Sequence, residues 1–381
     1  MIKQIRRAVL ALVCTSVLAT GAVHAKQLNY ALGAPPNTPA HEAVKEFATA
    51  VKEFSDGDLQ VRIYALSLLN FAEMSAGLRD KIADIGLVLT PYHPAEYPPI
   101  NFLGESSMML QLIDGDFTGK EGMAFGAAMS EYIFFNCDEC LQRYKQQNQV
   151  YIGHGAGMTY GLMCRTPVVS QADLRGKRVR VGASNFARWA QSMGATPVTM
   201  SANEMLEALS QGIVDCLALS SPEILNFGLG DTITDLTMAV PGGVFPFSFQ
   251  INQDTWRGLS AKQRDVILRA SAVGAAAVSY MYSQSADEGL ALVRKNGAKF
   301  HEASDDLIKA SQEFVKGDMQ TLIDQYSRQY KLDNTDQMLA NFRPILEKWA
   351  KRMENVESKQ DLIDLYMEHI VSKLDAASYG M

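Results

Sequence analysis

The sequence is short of the signatures that reactive chemistry leaves. It holds six histidines, and those beyond residue 25 (His41, His93, His154, His301 and His369) form no pair four apart on a helix. There is no H-E-x-x-H, no G-x-S-x-G elbow and no G-x-x-x-x-G-K-[ST] phosphate loop. "GHGAG" at Gly153–Gly157 fits neither phosphate nor dinucleotide spacing, and marks a strand-to-loop passage that another group approaches closely. No enzyme activity and no cofactor is therefore expected. The 18 methionines form no metal-binding cluster, and no residue is singled out as a metal ligand. Basic clusters are also missing. The formal net charge is −7, which argues against a nucleic-acid partner. After residue 25 no run approaches the roughly 18 apolar residues of a spanning helix, so the mature protein is not expected to be membrane-embedded.

What is present begins with a leader. Lys3, Arg6 and Arg7 precede the apolar stretch "AVLALVCTSVLATGAV", and Val23 and Ala25 stand at the positions of a secretory cleavage site. Residues 1–25 are expected to be a signal peptide cut after Ala25, placing the mature chain in the periplasm. Cutting there removes three basic residues and no acidic one, taking the formal charge from −7 to −10. Val13 before Cys14 is a poor lipobox residue, so no lipid anchor is expected. Cys137, Cys140, Cys164 and Cys216 remain in an exported chain, where disulfides form. Four cysteines allow three pairings, and the spacing does not choose among them.

With 381 residues the chain suits two medium domains. "LNYALG" reads as a strand, "HEAVKEFATAVKEF" as an amphipathic helix and "LQVRIYA" as a strand. A helix over about Phe71–Asp80 and the strand "ADIGLVL" follow. From Gly176 the same β-α-β-α-β order returns: "KRVRVG", "NFARWAQSM", "TPVTM", "ANEMLEALSQ" and "IVDCLAL". Ser201 and Glu204 form a capping box for the second helix, and Gly212 ends it. The third strands also resemble each other: "LRDKIADIGL" (Leu78–Leu87) overlays "LSQGIVDCLA" (Leu209–Ala218), with Asp84 and Asp215 in matching structural places. Such alternation predicts an α/β fold of two lobes, each a mostly parallel sheet flanked by helices, with a ligand cleft between them outside the carboxyl ends of the strands. The boundaries expected are residues 26–155 for lobe I with a return segment over about 246–290, 156–245 for lobe II, and 291–381 for C-terminal helices packing across the lobes.

Several stretches together resemble the DctP-type solute-binding proteins of tripartite ATP-independent periplasmic (TRAP) transporters. "DLRGKRVRV" (Asp173–Val181) is similar to that family's strand, and "MSANEMLEALSQGIVDC" (Met200–Cys216) to its helix–strand unit. "SFQINQDTWRGLSAKQRDVILRAS" (Ser248–Ser271) and "RDKIADIGLV" (Arg79–Val88) resemble further segments, and the likeness covers about residues 26–300. It implies a protein that closes on a small organic acid and delivers it to membrane permease subunits. A ligand-sensing protein of the same fold and, further off, a periplasmic enzyme are the alternatives.

The resemblance places the carboxylate-binding arginine on Arg180, whose planar fork matches two carboxylate oxygens. Arg178 takes the place of an ordinary surface residue. Sialic-acid-binding members carry a second arginine where this chain has Tyr160, so sialic acid is not the expected ligand. Loop positions at strand ends supply the remaining candidates: Tyr92, Asn185, Asn203, Ser220, Ser221 and Phe247, with Glu73 as a polar contact from lobe I. Phe186 and Trp189 are expected in the core of their helix.

Overall fold

Two sheets organise the chain. The structure is a computed structural model and describes residues 25–381; the leader expected at the N-terminus lies outside the described residues. The first sheet has the order β2-β1-β3-β10-β4, built from β1 (Lys26–Leu32), β2 (Leu59–Ala65), β3 (Ile85–Val88), β4 (Gln149–Ala156) and β10 (Pro246–Asn252). The second has the order β11-β9-β5-β8-β6-β7, from β5 (Gly161–Cys164), β6 (Arg178–Val181), β7 (Thr196–Thr199), β8 (Cys216–Leu219), β9 (Asp235–Thr237) and β11 (Lys299–Phe300). With helices on their faces, the sheets form the α/β architecture read from the alternation. Each sheet is mixed, because a returning strand pairs antiparallel with two neighbours: β10 between β3 and β4, and β5 between β8 and β9. The return near residue 246 is expected from the sequence, but its antiparallel pairing is not something local periodicity registers.

The repeated aspartates do the same work in both sheets. The Asp84 carboxylate accepts from the Asn29 N–H of β1 at 2.8 Å, and the Asp84 N–H donates back to the Asn29 carbonyl at 2.9 Å. Asp215 makes the matching pair with Arg178 of β6, both at 2.8 Å. Asp215 also takes the Arg178 guanidinium in a surface ion pair. Each aspartate closes its turn onto the adjacent parallel strand and so sets the register from which the strand runs toward the cleft.

Helix Ala261–Lys295 joins the halves. Ser260 and Gln263 cap its start. It packs on β4 in the first sheet and on the short helix Glu223–Asn226 beyond the second. Gly155 permits the first contact, since a Cβ there would lie 2.4 Å from Val278, and Gly289 permits the second, where a Cβ would lie 2.2 Å from the Ser221 carbonyl. By length and composition this helix is apolar enough to cross a bilayer, yet 72% of its most apolar window is buried inside the protein, so its apolar surface is spent on the core. No unbroken apolar run betrays it in the sequence, because Ser271, Ser279 and glycines interrupt it.

Three C-terminal helices, Asp305–Gln329, Thr335–Met353 and Lys359–His369, complete the fold. The first touches both halves. Tyr326 meets Phe102 edge-on at 5.5 Å, and Ser311 accepts from the Trp189 indole at 2.8 Å. Between these contacts Arg188 donates to Asp318 at 2.7 and 2.9 Å and to Glu105 at 2.7 Å, while Tyr326 donates to the other Glu105 oxygen at 2.7 Å.

The disulfides are Cys137–Cys140, at the start of helix Asp138–Gln146, and Cys164–Cys216, which face each other across β5 and β8. Their sequence separations are 3 and 52. A longer closed loop removes more entropy from the unfolded chain. Cys164→Ala with Cys216→Ala is therefore expected to cost roughly 2 kcal/mol more than Cys137→Ala with Cys140→Ala. Urea unfolding of both double variants checks this, and equal losses would contradict it.

Candidate functional site: a cavity around a buried arginine

Arg180 lies on β6, which runs parallel between β8 and the edge strand β7 of the second sheet, and is only 1% exposed. Its neighbour two residues back, Arg178, is exposed, so the strand's two arginines part company at the sheet's rim. The guanidinium is held on one side by the Met200 carbonyl, which accepts from Nε at 3.2 Å and from Nη2 at 2.9 Å. Nη2 also donates to the Tyr92 hydroxyl at 3.1 Å. Tyr92 belongs to the turn Thr90–Tyr92 after β3, in the other half of the molecule. Its hydroxyl accepts a second bond, from the Ala202 N–H at 2.9 Å. Tyr92 thus joins the two halves across the cleft. No carboxylate lies within ion-pair distance of Arg180 among the described residues. Such a buried, uncompensated cation is costly unless something else supplies the anion.

The surroundings are aromatic. Tyr160 stacks on Phe186 at 4.4 Å between ring centres and, on its other side, on Phe245 at 6.2 Å. Tyr92 meets Phe245 edge-on at 6.1 Å, and Phe247 leans on Tyr282 at 5.1 Å. Tyr92, Tyr160, Phe245, Phe247 and Tyr282, together with Phe71, line a narrow cavity of about 30 Å³ beside Arg180, so the halves are drawn closely together around it. Burial pushes the Tyr160 phenol far up, opposed by the Arg180 charge, so it stays a neutral hydroxyl. Glu223 also lines the cavity. Burial raises its carboxyl, while bonds from Asn226 and Tyr282 and the Arg180 field work the other way.

Four expected site residues meet here: Arg180, Tyr160, Tyr92 and Phe247 line the cavity. Asn203 stands at its edge, where its amide donates to the Gly33 carbonyl of the opposite half at 3.2 Å. Asn185 lies behind the wall, 1% exposed, with its amide nitrogen 3.5 Å from the Ser107 hydroxyl and its oxygen without a partner. Ser220 and Ser221 are buried, but the cavity wall is made by residues around them. Their carbonyls accept from the Glu223 and Ile224 N–H groups and start a helical turn, which carries Glu223 and Asn226 to the cavity instead. Glu73 is displaced from the site. It is exposed, and its carboxylate folds back onto the Asn70 N–H at 3.1 Å. The apolar Phe71 is the residue that this loop turns inward. Glu223, Asn226, Phe245, Phe71 and Tyr282 are thus additions that loop-by-loop inspection did not select. A glutamate one turn beyond a buried strand end was the available signal for Glu223. Tyr282 sits within a long core helix and gave none.

Residues 137–327 match the bacterial extracellular solute-binding protein family 7, DctP. The chain belongs to this family. A solute-binding protein of Albidiferax ferrireducens is 24% identical over 281 residues, 72% of this chain and 78% of that protein. One of Sulfitobacter sp. is 22% identical over 312 residues, 81% of this chain and 82% of the other. Among solved structures, a marine-metagenome TRAP solute-binding protein specific for aromatic acid ligands has a TM-score of 0.74 at 20% identity, covering 86% of this chain and 100% of its own. A Bordetella pertussis extracytoplasmic solute receptor binding pyroglutamic acid has 0.68 at 21%, covering 84% and 100%. A TRAP periplasmic binding protein of Bordetella bronchiseptica with bound mandelate has 0.70 at 21%, covering 84% and 99%. At these identities the structural likeness establishes the two-lobed fold.

In this family 7 binding protein the Tyr92 hydroxyl holds both Arg180 and the Ala202 N–H. Tyr92→Phe keeps the ring and deletes those two bonds. Ligand affinity is expected to fall about fivefold to tenfold, the effect of losing roughly one net hydrogen bond in the closed form. Titration calorimetry checks this, with an unchanged affinity as the contrary result.

Proposed function

We propose that this chain is the extracytoplasmic substrate-binding subunit of a TRAP transporter, which captures a small, ring-bearing organic acid by lobe closure and delivers it to the membrane permease. The observation that carries this is Arg180: a permanent cation, buried, hydrogen-bonded from both halves and without a protein carboxylate, at the wall of an aromatic cavity. A ligand carboxylate supplies the missing anion, and the guanidinium fork holds it with strong, oriented bonds. The aromatic walls favour a flat or ring-shaped body. Three structural relatives are described with acids of that kind: aromatic acids, pyroglutamate and mandelate. Tyr160, in place of a second arginine, leaves one cationic point and so favours a monocarboxylate.

Closure follows from where the groups reside. Arg180 and Ala202 belong to one half, Tyr92 and Gly33 to the other, and the bonds between them exist when the halves meet. A ligand seated on Arg180 and on aromatic groups of both halves binds the closed form better and shifts the population toward it. The closed form is then what the permease recognises. Export behind the N-terminal leader places the protein in the periplasm.

A thermal-shift screen tests this. The protein is unfolded and refolded to strip any ligand, then offered monocarboxylic acids beside their methyl esters. An acid at 100 times its dissociation constant adds about 2.7 kcal/mol. Ring-bearing acids are expected to raise the midpoint and their esters to leave it. No response to any acid, or equal responses to acids and esters, overturns the proposal.

A further inference from the structure

The cavity holds a second charged group that the capture of a carboxylate does not use. Glu223 is 8% exposed and lines the same space as Arg180. The other buried glutamates have cations of their own: Glu105 pairs with Arg188, and Glu131 takes Lys348 and Arg352. Glu223 has no such partner within ion-pair distance among the described residues. Its oxygen Oε2 accepts from the Asn226 amide at 2.9 Å, and the neighbouring Tyr282 hydroxyl also favours its ionised form. A carboxylate has about four acceptor positions on two oxygens, so two donors leave capacity on a side chain that faces the cavity. Arg180 and Glu223 line one buried space without pairing; burial raises the Glu223 carboxyl, and the nearby Arg180 charge works against that. Each is left for something that comes from outside.

We propose that Glu223 is the second recognition point of the cavity, and that it selects acids carrying a hydrogen-bond donor, a hydroxyl or N–H, set apart from the carboxylate held by Arg180. This rests on the carboxylate-capture function proposed above and narrows its ligand class. When a ligand carboxylate neutralises Arg180, Glu223 loses the one field that favours its charge. A donor on the ligand replaces that support at the same moment. An acid without a donor leaves a buried carboxylate short of partners, and an acid whose hydroxyl is methylated presents an oxygen against oxygens. Both penalties act only on the wrong ligand, which is how a small cavity discriminates strongly. Phe247 and Tyr282 add ring surface to the same wall, so the expected ligand is a flat body carrying both the carboxylate and the donor.

The test is calorimetric titration of the refolded protein with matched sets: benzoate, 3-hydroxybenzoate and 3-methoxybenzoate, and phenylacetate with its 3-hydroxy and 3-methoxy derivatives. In the parent protein each hydroxyl acid is expected to bind about tenfold or more tightly than both its unsubstituted and its methoxy relative. Glu223→Met, of similar length and without an acceptor, should bring the three members of each set together while still binding acids. Glu223→Gln, which keeps one oxygen acceptor, should retain part of the preference and guards against a folding defect in the methionine variant. A methoxy acid that binds as well as its hydroxyl partner, or a preference that survives in Glu223→Met, overturns the proposal while leaving the receptor function standing. If no acid of any set or of the wider screen binds the parent protein, the receptor function itself fails, and this proposal with it.

Discussion

Arg180→Met is expected to abolish acid binding and to leave the empty protein at least as stable as the parent. Removing one member of a buried, hydrogen-bonded charge pair costs about 2–5 kcal/mol of binding. That is a rise in dissociation constant of roughly 30-fold to several thousand-fold. Arg180→Lys keeps the charge but not the fork that engages two oxygens, so it should fall between the two proteins. Stability runs the other way because the empty site is the unfavourable one. There the guanidinium has been stripped of water and, among the described residues, is given neutral acceptors such as the Met200 carbonyl and the Tyr92 hydroxyl in return. Methionine fills a similar volume and carries no charge to desolvate, although it strands the Met200 carbonyl. Titration calorimetry reads the first effect, and urea unfolding of ligand-free protein the second. If the variant binds acids normally, or if its empty form is several kcal/mol weaker, Arg180 is a structural residue and the site has been misplaced.

The second large effect lies away from the cavity. Arg188→Ala is expected to destabilise the protein by about 3–5 kcal/mol, because it leaves two buried carboxylates without their cation. The side chains of Glu105 and Asp318 are 3% and 1% exposed. They come from different parts of the fold, Glu105 from the half that carries Tyr92 and Asp318 from helix Asp305–Gln329. Burial works against the Arg188 charge, but the bonds and fields of both carboxylates outweigh it and hold the guanidinium firmly protonated. Changing all three residues together, with Arg188→Met, Glu105→Gln and Asp318→Asn, should recover most of the loss, since no uncompensated charge then remains. Chemical unfolding of the single and triple variants decides this. A single variant that unfolds like the parent would show that the cluster is solvated in solution.

Much of this was legible before any coordinates. The β-α-β-α-β alternation, the two aspartates and the capping box at Ser201 are local patterns, and local patterns survive in sequence. Arg180 stood out because a charge two residues from Arg178 on a strand demands an explanation, and the neighbouring segments resembled a known family. What was not legible depends on contacts between distant residues. The antiparallel insertion of β10 between β3 and β4 brings together residues separated by 90 or more positions. The pairing of Cys164 with Cys216 follows from the register of β5 against β8. Glu73 and Phe71 sit two residues apart in one loop, and only packing decides which of them turns inward. Ser220 and Ser221 stand at the end of β8, but one helical turn brings Glu223 and Asn226, not the serines, to the cavity wall.

The way the chain is threaded bears on how such a protein changes its ligand. β10 reaches the first sheet only after the second has been laid down, and β11 joins the second only after the long helix Ala261–Lys295 has left the first. Neither half is a continuous piece of sequence, so neither can be cut out or exchanged as a module. Limited proteolysis should yield no stable single-half fragment, and unfolding should pass through one shared transition. With the binding site proposed at the cavity, changes of specificity are expected from point substitutions at its edge, at positions such as Phe71, Tyr160 and Glu223, more readily than from exchange of whole lobes.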